Sequence, residues 1–259
     1  MRVPPLQETF QVHTYEADAW GLLDVPALSG WLQEAAGRHA EALGAGMEAL
    51  VRRGLTWVLS RQRVEIDLPI PLGSEVTVAT WPTGVDRLSA LRDFEVRLPG
   101  GEVAARAVTQ WLLLDLASRR PVRPDRVLGA DLLPELPHVL APPAARLPEV
   151  GAPALERRFS IRYRDIDRNL HVTNASYVAW AVEAVPQDAW RTLRVRTMEA
   201  HFLAECHLGS TVRSRSAEAG EGAYAHAIVR EEDGRELARL RTSWVARGEA
   251  APAQGPPAR

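Results

Sequence analysis

The chain contains no lysine: all 31 of its basic residues are arginine, set against 33 acidic ones. A GC-rich coding preference accounts for that bias. The formal net charge of −2 leaves no global field of the kind that attracts nucleic acid or an anionic membrane. A single cysteine excludes an internal disulfide framework and fits a reducing compartment. No uncharged apolar run approaches the length of a membrane span, and the first ten residues lack an apolar core of signal-peptide length. A soluble cytoplasmic protein is therefore expected. Also missing are a Gly-rich phosphate loop, a Cys-x-x-Cys pair and a His-Glu-x-x-His run, so neither a nucleotide cofactor nor a metal is expected.

What is present is a core-forming composition, 46% apolar, and a chain that repeats itself. Tyr15–Ala35 lies over Arg164–Ala184 without a gap, matching Asp18 to Asp167, Trp31 to Trp180 and Glu34 to Glu183. Leu72–Val76 then lies over Leu208–Val212, and Gly101, Thr109 and Trp111 over Gly234, Thr242 and Trp244. Three matches in the same order mark an internal duplication.

Each copy reads as one helix followed by strands. In the first, Asp24 is a suitable N-cap, Pro26 fits the first turn, Trp31, Leu32, Ala35 and Ala36 form an apolar stripe, and Gly44 is a stop. In the second, Thr173 or Asn174 caps, Tyr177, Trp180, Ala181 and Ala184 form the stripe, and Pro186 ends it. Strand-like stretches follow at 56–67, 75–82, 88–97 and 103–115, then at 194–204, 211–217, 223–231 and 236–246. An antiparallel sheet wrapped around one apolar helix satisfies each copy. The expected organisation is an N-terminal unit over 1–116, a linker with eight prolines over 117–157, a C-terminal unit over 158–247 and a disordered tail over 248–259.

The second copy holds the chemistry. Asp167, Asn169 and His171 alternate just before its helix, and Glu205, Cys206 and His207 follow some thirty residues later. The Asp-x-Asn-x-His-Val-x-Asn pattern with a Glu-Cys pair, in a duplicated chain, resembles the FatA/FatB-type acyl-acyl carrier protein thioesterases of plants and their bacterial relatives. The resemblance spans residues 8–247 and departs from plant members at Thr173, where they usually carry asparagine. It implies an α+β fold, a double hotdog, with the first unit helping to build an acyl cavity. It also implies hydrolysis of acyl-acyl carrier protein to free fatty acid, in a bacterial cytoplasm because no plastid transit segment is present. Carried over position by position, the catalytic set is Asp167, Asn169, His171 and Glu205, with Cys206 beside the last.

Glu205 is expected to act as general base, since its counterpart in the first copy is Pro69. Strand parity puts His201, Leu203, Glu205 and His207 on one face and Phe202, Ala204, Cys206 and Leu208 on the other. Cys206 therefore reads as a buried inert thiol, with a nucleophilic role as the alternative. The shared face of His201, Glu205 and His207 is the one grouping that hints at a metal. Asn169 suits the orienting of water, and His171 the polarising of thioester or water, or a proton relay. Asp167 reads as an orienting residue because Asp18 keeps it where Asn169 and His171 have become Trp20 and Leu22. Amides near Val172, Thr173 and Asn174, at the helix start, are candidates for an oxyanion site. Arg191, Arg194, Arg213 and Arg215 are candidates for docking the acidic carrier protein, and a homodimer is left open. The alternatives are an acyl-CoA thioesterase on the same fold, a hotdog hydratase and a non-catalytic acyl-thioester-binding protein.

Overall fold

Helix α1 (Val25–Ala42) starts where Asp24 accepts the Ala27 amide at 2.7 Å and Pro26 occupies the first turn. It ends just before Gly44, whose φ of 71° is the left-handed conformation expected after a helix. Its buried face is Val25, Leu28, Trp31, Leu32, Ala35, Ala36 and His39. In the second copy α4 (Asn174–Glu183) is capped by Thr173 and buries Tyr177, Val178, Trp180 and Ala181. The computed structural model describes residues 4–129, 132–133 and 136–247. The expected disordered tail, 248–259, lies outside the described residues.

Around these helices runs one antiparallel sheet of eleven strands. The first half comprises β1 (Leu6–Gln11), β2 (Leu55–Ile66), β3 (Glu75–Asp86), β4 (Ser89–Arg97) and β5 (Val103–Asp115), with the two-residue β6 (Pro121–Val122) paired to β5. The second half comprises β7 (Leu155–Ser160), β8 (Leu193–Phe202), β9 (Thr211–Glu218), β10 (Ala223–Arg230) and β11 (Glu236–Ala246). The order is β1-β3-β4-β5-β2-β8-β11-β10-β9-β7, so each half repeats the other about the β2–β8 seam, where Arg61–Glu65 pair with His201–Thr197. Helices α1 and α4 pack together, and residues of both halves form one continuous apolar core. Each half is a sheet packed on a single helix, as the repeat predicts and as the hotdog units implied by the resemblance require.

Three expectations change. The stretch 117–157 carries β6, α3 (Pro124–Leu128) and the first three residues of β7, so it is more than a bare linker. It crosses the sheet surface opposite the helices: Asp93 of β4 is fully buried there, bonded to His138, the Val139 amide and Thr83. Edge strands β1 and β7 were not marked by the sequence, because an edge strand such as Leu155–Ser160 is mostly exposed and carries no long apolar run. Strand β8 stops at Phe202 rather than 204, because the amides of Leu203 and Ala204 share the Leu237 carbonyl and end the regular ladder.

Two short helices, α2 (Met47–Val51) and α5 (Gln187–Thr192), follow the two long ones. Among the described residues no helix is long and apolar enough to cross a membrane.

Candidate active site

The residues Asp165–His171 make a tight loop ahead of α4. Ile166 and Val172 bridge as antiparallel partners, and the Asp167 amide donates to the His171 carbonyl at 2.8 Å. Asp167 Oδ1 accepts the amides of Asn169 at 2.8 Å and His171 at 3.2 Å, so this carboxylate holds the loop closed. Closure forces Leu170 to a φ of 63°, which costs a side-chain-bearing residue about 1–2 kcal/mol. The first unit has the same loop. There Ala17 bridges Leu23, Asp18 Oδ1 accepts the amides of Trp20 and Leu22, and the left-handed position is Gly21.

The end of β8 meets this loop. The Val172 amide donates to the Cys206 carbonyl at 2.9 Å, stitching residues 203–207 against 167–172. As a result Glu205 Oε2 lies 3.6 Å from His171 Nε2. The His171 and His207 rings sit edge to face, 4.9 Å between centroids, and His207 Nδ1 is 3.3 Å from the Leu170 carbonyl. Asn169 Nδ2 lies 3.5 Å from Asp167 Oδ2. Asp167, Asn169, His171 and Glu205 all line one cleft of about 1270 Å³, together with Val172, Thr173 and Asn174.

The amides at the helix start divide into two kinds. Those of Val172 and Thr173 are engaged, the second by the Asp165 carbonyl at 2.8 Å, so these two residues do not supply the expected oxyanion donors. A backbone donor spent on loop closure cannot also face a ligand. Among the described residues the amides of Asn174 and Ala175 donate to no protein acceptor, as the first positions of a helix must, and both residues line the cleft.

Cys206 is fully buried in the core and does not line the cleft, whereas the adjacent Glu205 does. A thiol in that position is shielded from solvent. His201 also departs from the expected grouping, since it is buried on β8 beside Glu199 at 3.7 Å. The side chains that do converge are His171, Glu205 and His207, with ligand-type atoms within 4.8 Å of one another. A cation there would compete with Arg119, whose Nη2 already donates to Glu205 Oε2 at 2.6 Å.

Arg119 was not marked by the sequence. It leaves the first unit on the turn between β5 and β6, itself at a φ of 58°, and reaches the second unit's carboxylate. No local spacing signals such a contact, because 86 residues separate the partners. The cleft continues from this pair into the first unit, past Leu59, Trp57, Trp111 and Ala90. Of the arginines considered for docking, Arg213 and Arg215 pair with Glu156, and Arg194 donates to the carbonyls of Ile66 and Asp67.

Two family models match this chain, the acyl-ACP thioesterase N-terminal domain over residues 5–128 and its C-terminal domain over 151–246. The chain belongs to the acyl-ACP thioesterase family. The first family match ends where α3 ends, and the second begins just before β7, so the family's own division of the chain keeps β6 and α3 with the first unit.

Among the relatives of this acyl-ACP thioesterase family member is a chloroplastic acyl-[acyl-carrier-protein] hydrolase of Cuphea viscosissima, 24% identical, covering 92% of this chain and 61% of the relative. A chloroplastic palmitoyl-acyl carrier protein thioesterase of Arabidopsis thaliana is 27% identical over 92% of this chain and 63% of its own length. The chain thus spans a little over three fifths of the length of these two relatives. Among solved structures, a 12:0-ACP thioesterase from Umbellularia californica superposes with a TM-score of 0.84 at 26% identity, covering 93% of this chain and 97% of that one. An acyl-ACP thioesterase from Bacteroides thetaiotaomicron gives 0.83 at 24% identity, covering 93% and 98%, a likeness of fold.

Proposed function

We propose that this chain hydrolyses the thioester of acyl-acyl carrier protein to free fatty acid and carrier protein, with Glu205 as general base. The observation that carries the reading is the pairing of Glu205 with His171 at 3.6 Å, in a long cleft beside the two unengaged amides that start α4. Glu205 takes a proton from water held between it and the Asn169 amide group. The resulting hydroxide adds to the thioester carbonyl, and the amides of Asn174 and Ala175 receive the developing oxyanion. Collapse breaks the carbon–sulfur bond, and the departing thiolate takes a proton through His171. Arg119 holds the Glu205 carboxylate toward the cleft, and Asp167 holds the loop that carries Asn169 and His171.

Supporting the substrate class are the carrier-protein hydrolases among the relatives. A bacterial cytoplasm, where acyl carrier protein is available, is part of the same reading. Both units of one chain contribute to the site, since the first supplies Arg119 to the Glu205 of the second.

Steady-state hydrolysis of one acyl group presented on carrier protein and on coenzyme A tests the proposal. The expected result is a higher kcat/KM on carrier protein, and its loss by about a hundredfold or more in Glu205→Ala. Near wild-type turnover in that variant would sink the mechanism. Equal turnover on both carriers would move the substrate to acyl-CoA, and binding without hydrolysis would leave an acyl-thioester-binding protein.

A further inference from the structure

Beside the Glu205–His171 pair the cleft carries a third donor that water attack on a thioester leaves unused. His207 is exposed, lines the cleft and sets its ring edge to face against His171, 4.9 Å between centroids. Its Nδ1 lies 3.3 Å from the Leu170 carbonyl, which can only accept. Nδ1 therefore carries the ring proton, and in the neutral imidazole the lone pair is on Nε2. A ring N–H given to a backbone carbonyl is the contact by which metal-binding histidines are commonly held in one tautomer and one orientation.

The distances suit a small cation. One ligand-type atom from each of His171, Glu205 and His207 lies within 4.8 Å of the other two. His171 Nε2 and Glu205 Oε2 are 3.6 Å apart, close to the edge of about 3.4 Å that a tetrahedron with metal–ligand bonds of about 2.1 Å requires. Small side-chain rotations close the remaining gap, because none of the three residues is buried. Their backbones are already tied together by the Ile166–Val172 bridge and the bond from the Val172 amide to the Cys206 carbonyl. The duplication supplies a control. At the matching positions the first unit has Leu22, Pro69 and Pro71, although it keeps the same aspartate-closed loop. The loop's fold therefore does not demand these donors, and all three occur in the second unit alone.

We propose that His171, Glu205 and His207 form a site for a divalent cation of the zinc class, and that its binding switches hydrolysis off. Two imidazoles and a carboxylate are a donor set that zinc takes in open sites, with water in the fourth position. Magnesium and calcium, which prefer six or more oxygen ligands, are not matched by it. The resident cation is Arg119, but it is 61% exposed, and an ion pair at the surface is weak and screened by salt. A divalent ion with three converging donors displaces it. The inhibition, though not the binding, rests on the reading of Glu205 as general base. A metal that takes the Glu205 lone pair removes the base, and one that takes His171 removes the group that protonates the departing thiolate.

The test titrates metal-free protein with zinc chloride by calorimetry and, in parallel, with cobalt(II), whose visible absorption reports four-coordinate ligation. Wild type is expected to take up one equivalent, to lose hydrolysis in step with occupancy and to regain it when EDTA is added. His207→Gln, a change at an exposed ring, should bind zinc at least about tenfold more weakly. Measured against its own metal-free rate, it should also need at least about tenfold more zinc for half inhibition. Arg119→Met should bind zinc more tightly, by up to about fivefold, because the competing cation is gone. No bound equivalent in wild type, or equal affinity in His207→Gln, would overturn the site while leaving the thioesterase reading intact. Zinc that raises the rate would overturn the switch and make Glu205 a ligand rather than a base. One equivalent bound through His207 by a protein that hydrolyses no thioester would support the site and sink the hydrolase reading alone.

Discussion

The Asp18 loop and the Asp167 loop are the same piece of backbone used for opposite purposes. Both close on an aspartate that accepts two amides, at positions two and four residues onward. In the first unit the space beside the loop is filled. Arg247 bonds the second Asp18 oxygen at 2.7 Å, its guanidinium lies 3.8 Å from the Trp20 ring centroid, and Trp190 meets Trp20 edge to face. In the second unit the equivalent space is a cleft bordered by Asn169, His171 and Glu205. The turn is thus shared scaffold, and the two units differ in the residues hung on it, where the proposed chemistry lies. An arginine from just beyond the last long strand of the opposite unit reaches each side, Arg247 bonding Asp18 in the first loop and Arg119 bonding Glu205 beside the second.

Four experiments would break or sharpen that contrast. The largest effect belongs to Glu205→Gln, expected to lower kcat by about a hundredfold or more, while Pro69→Ala at the matching position leaves kcat within a few-fold. A large loss in the Pro69 variant would mean that the first unit also does chemistry. Next come the two aspartates. Asp18→Ala should lower unfolding free energy by about 1–3 kcal/mol with kcat retained, because it strands Arg247 and two amides. Asp167→Ala should cost similar stability and most of the activity. Denaturant titration beside initial rates separates the two, and unchanged kcat in the Asp167 variant would unlink loop from chemistry.

The third is a pH experiment on a buried histidine in each unit, His39 and His226, whose pKa values burial pushes down to about 4 and about 3 from 6.5. The unfolded chain takes up these protons first as pH falls. Stability from both should therefore be fully present above about pH 6.5 and decline on the way down to about 4 and 3. Melting temperatures of His39→Gln and His226→Gln should each show a flatter decline than wild type, and identical slopes would argue against neutral burial. The smallest effect is at the left-handed position. Leu170→Gly should raise stability by about 1 kcal/mol, and Gly21→Leu should lower it by a similar amount. Opposite signs would show that the 74%-exposed Leu170 side chain contributes a contact of its own.

Much of this was legible before any coordinates. The repeat survives in matched bridges and caps, since Asp24, Pro26, Thr173 and Gly44 act through their immediate neighbours. The strands β5 and β11 fall at the expected bounds, because turn residues mark where each begins. Glu205 stood out only against Pro69 in the duplicated copy. Arg119 was invisible because its partner Glu205 lies 86 residues away, and only the packing of the two units brings them together. The oxyanion amides were half legible, because composition marks a helix start but not which of its N–H groups the loop before it has consumed. Of the expected strand parity only the separation of Glu205 from Cys206 holds: Phe202 and Ala204 line the cleft with Glu205 and His201 does not, because the shared Leu237 carbonyl interrupts the ladder at residues 203–204.

The reach of Arg119 across the seam also sets the terms on which this duplicated chain evolves and is engineered. The proposed acid–base pair, Glu205 and His171, sits in one half and the cation that bonds the carboxylate in the other. Exchanging one half for that of a relative changes the cleft and the charge beside Glu205 in a single step. Chimaeras built at the β2–β8 seam should therefore carry Arg119 with the Glu205 it serves, even though the two residues come from different halves.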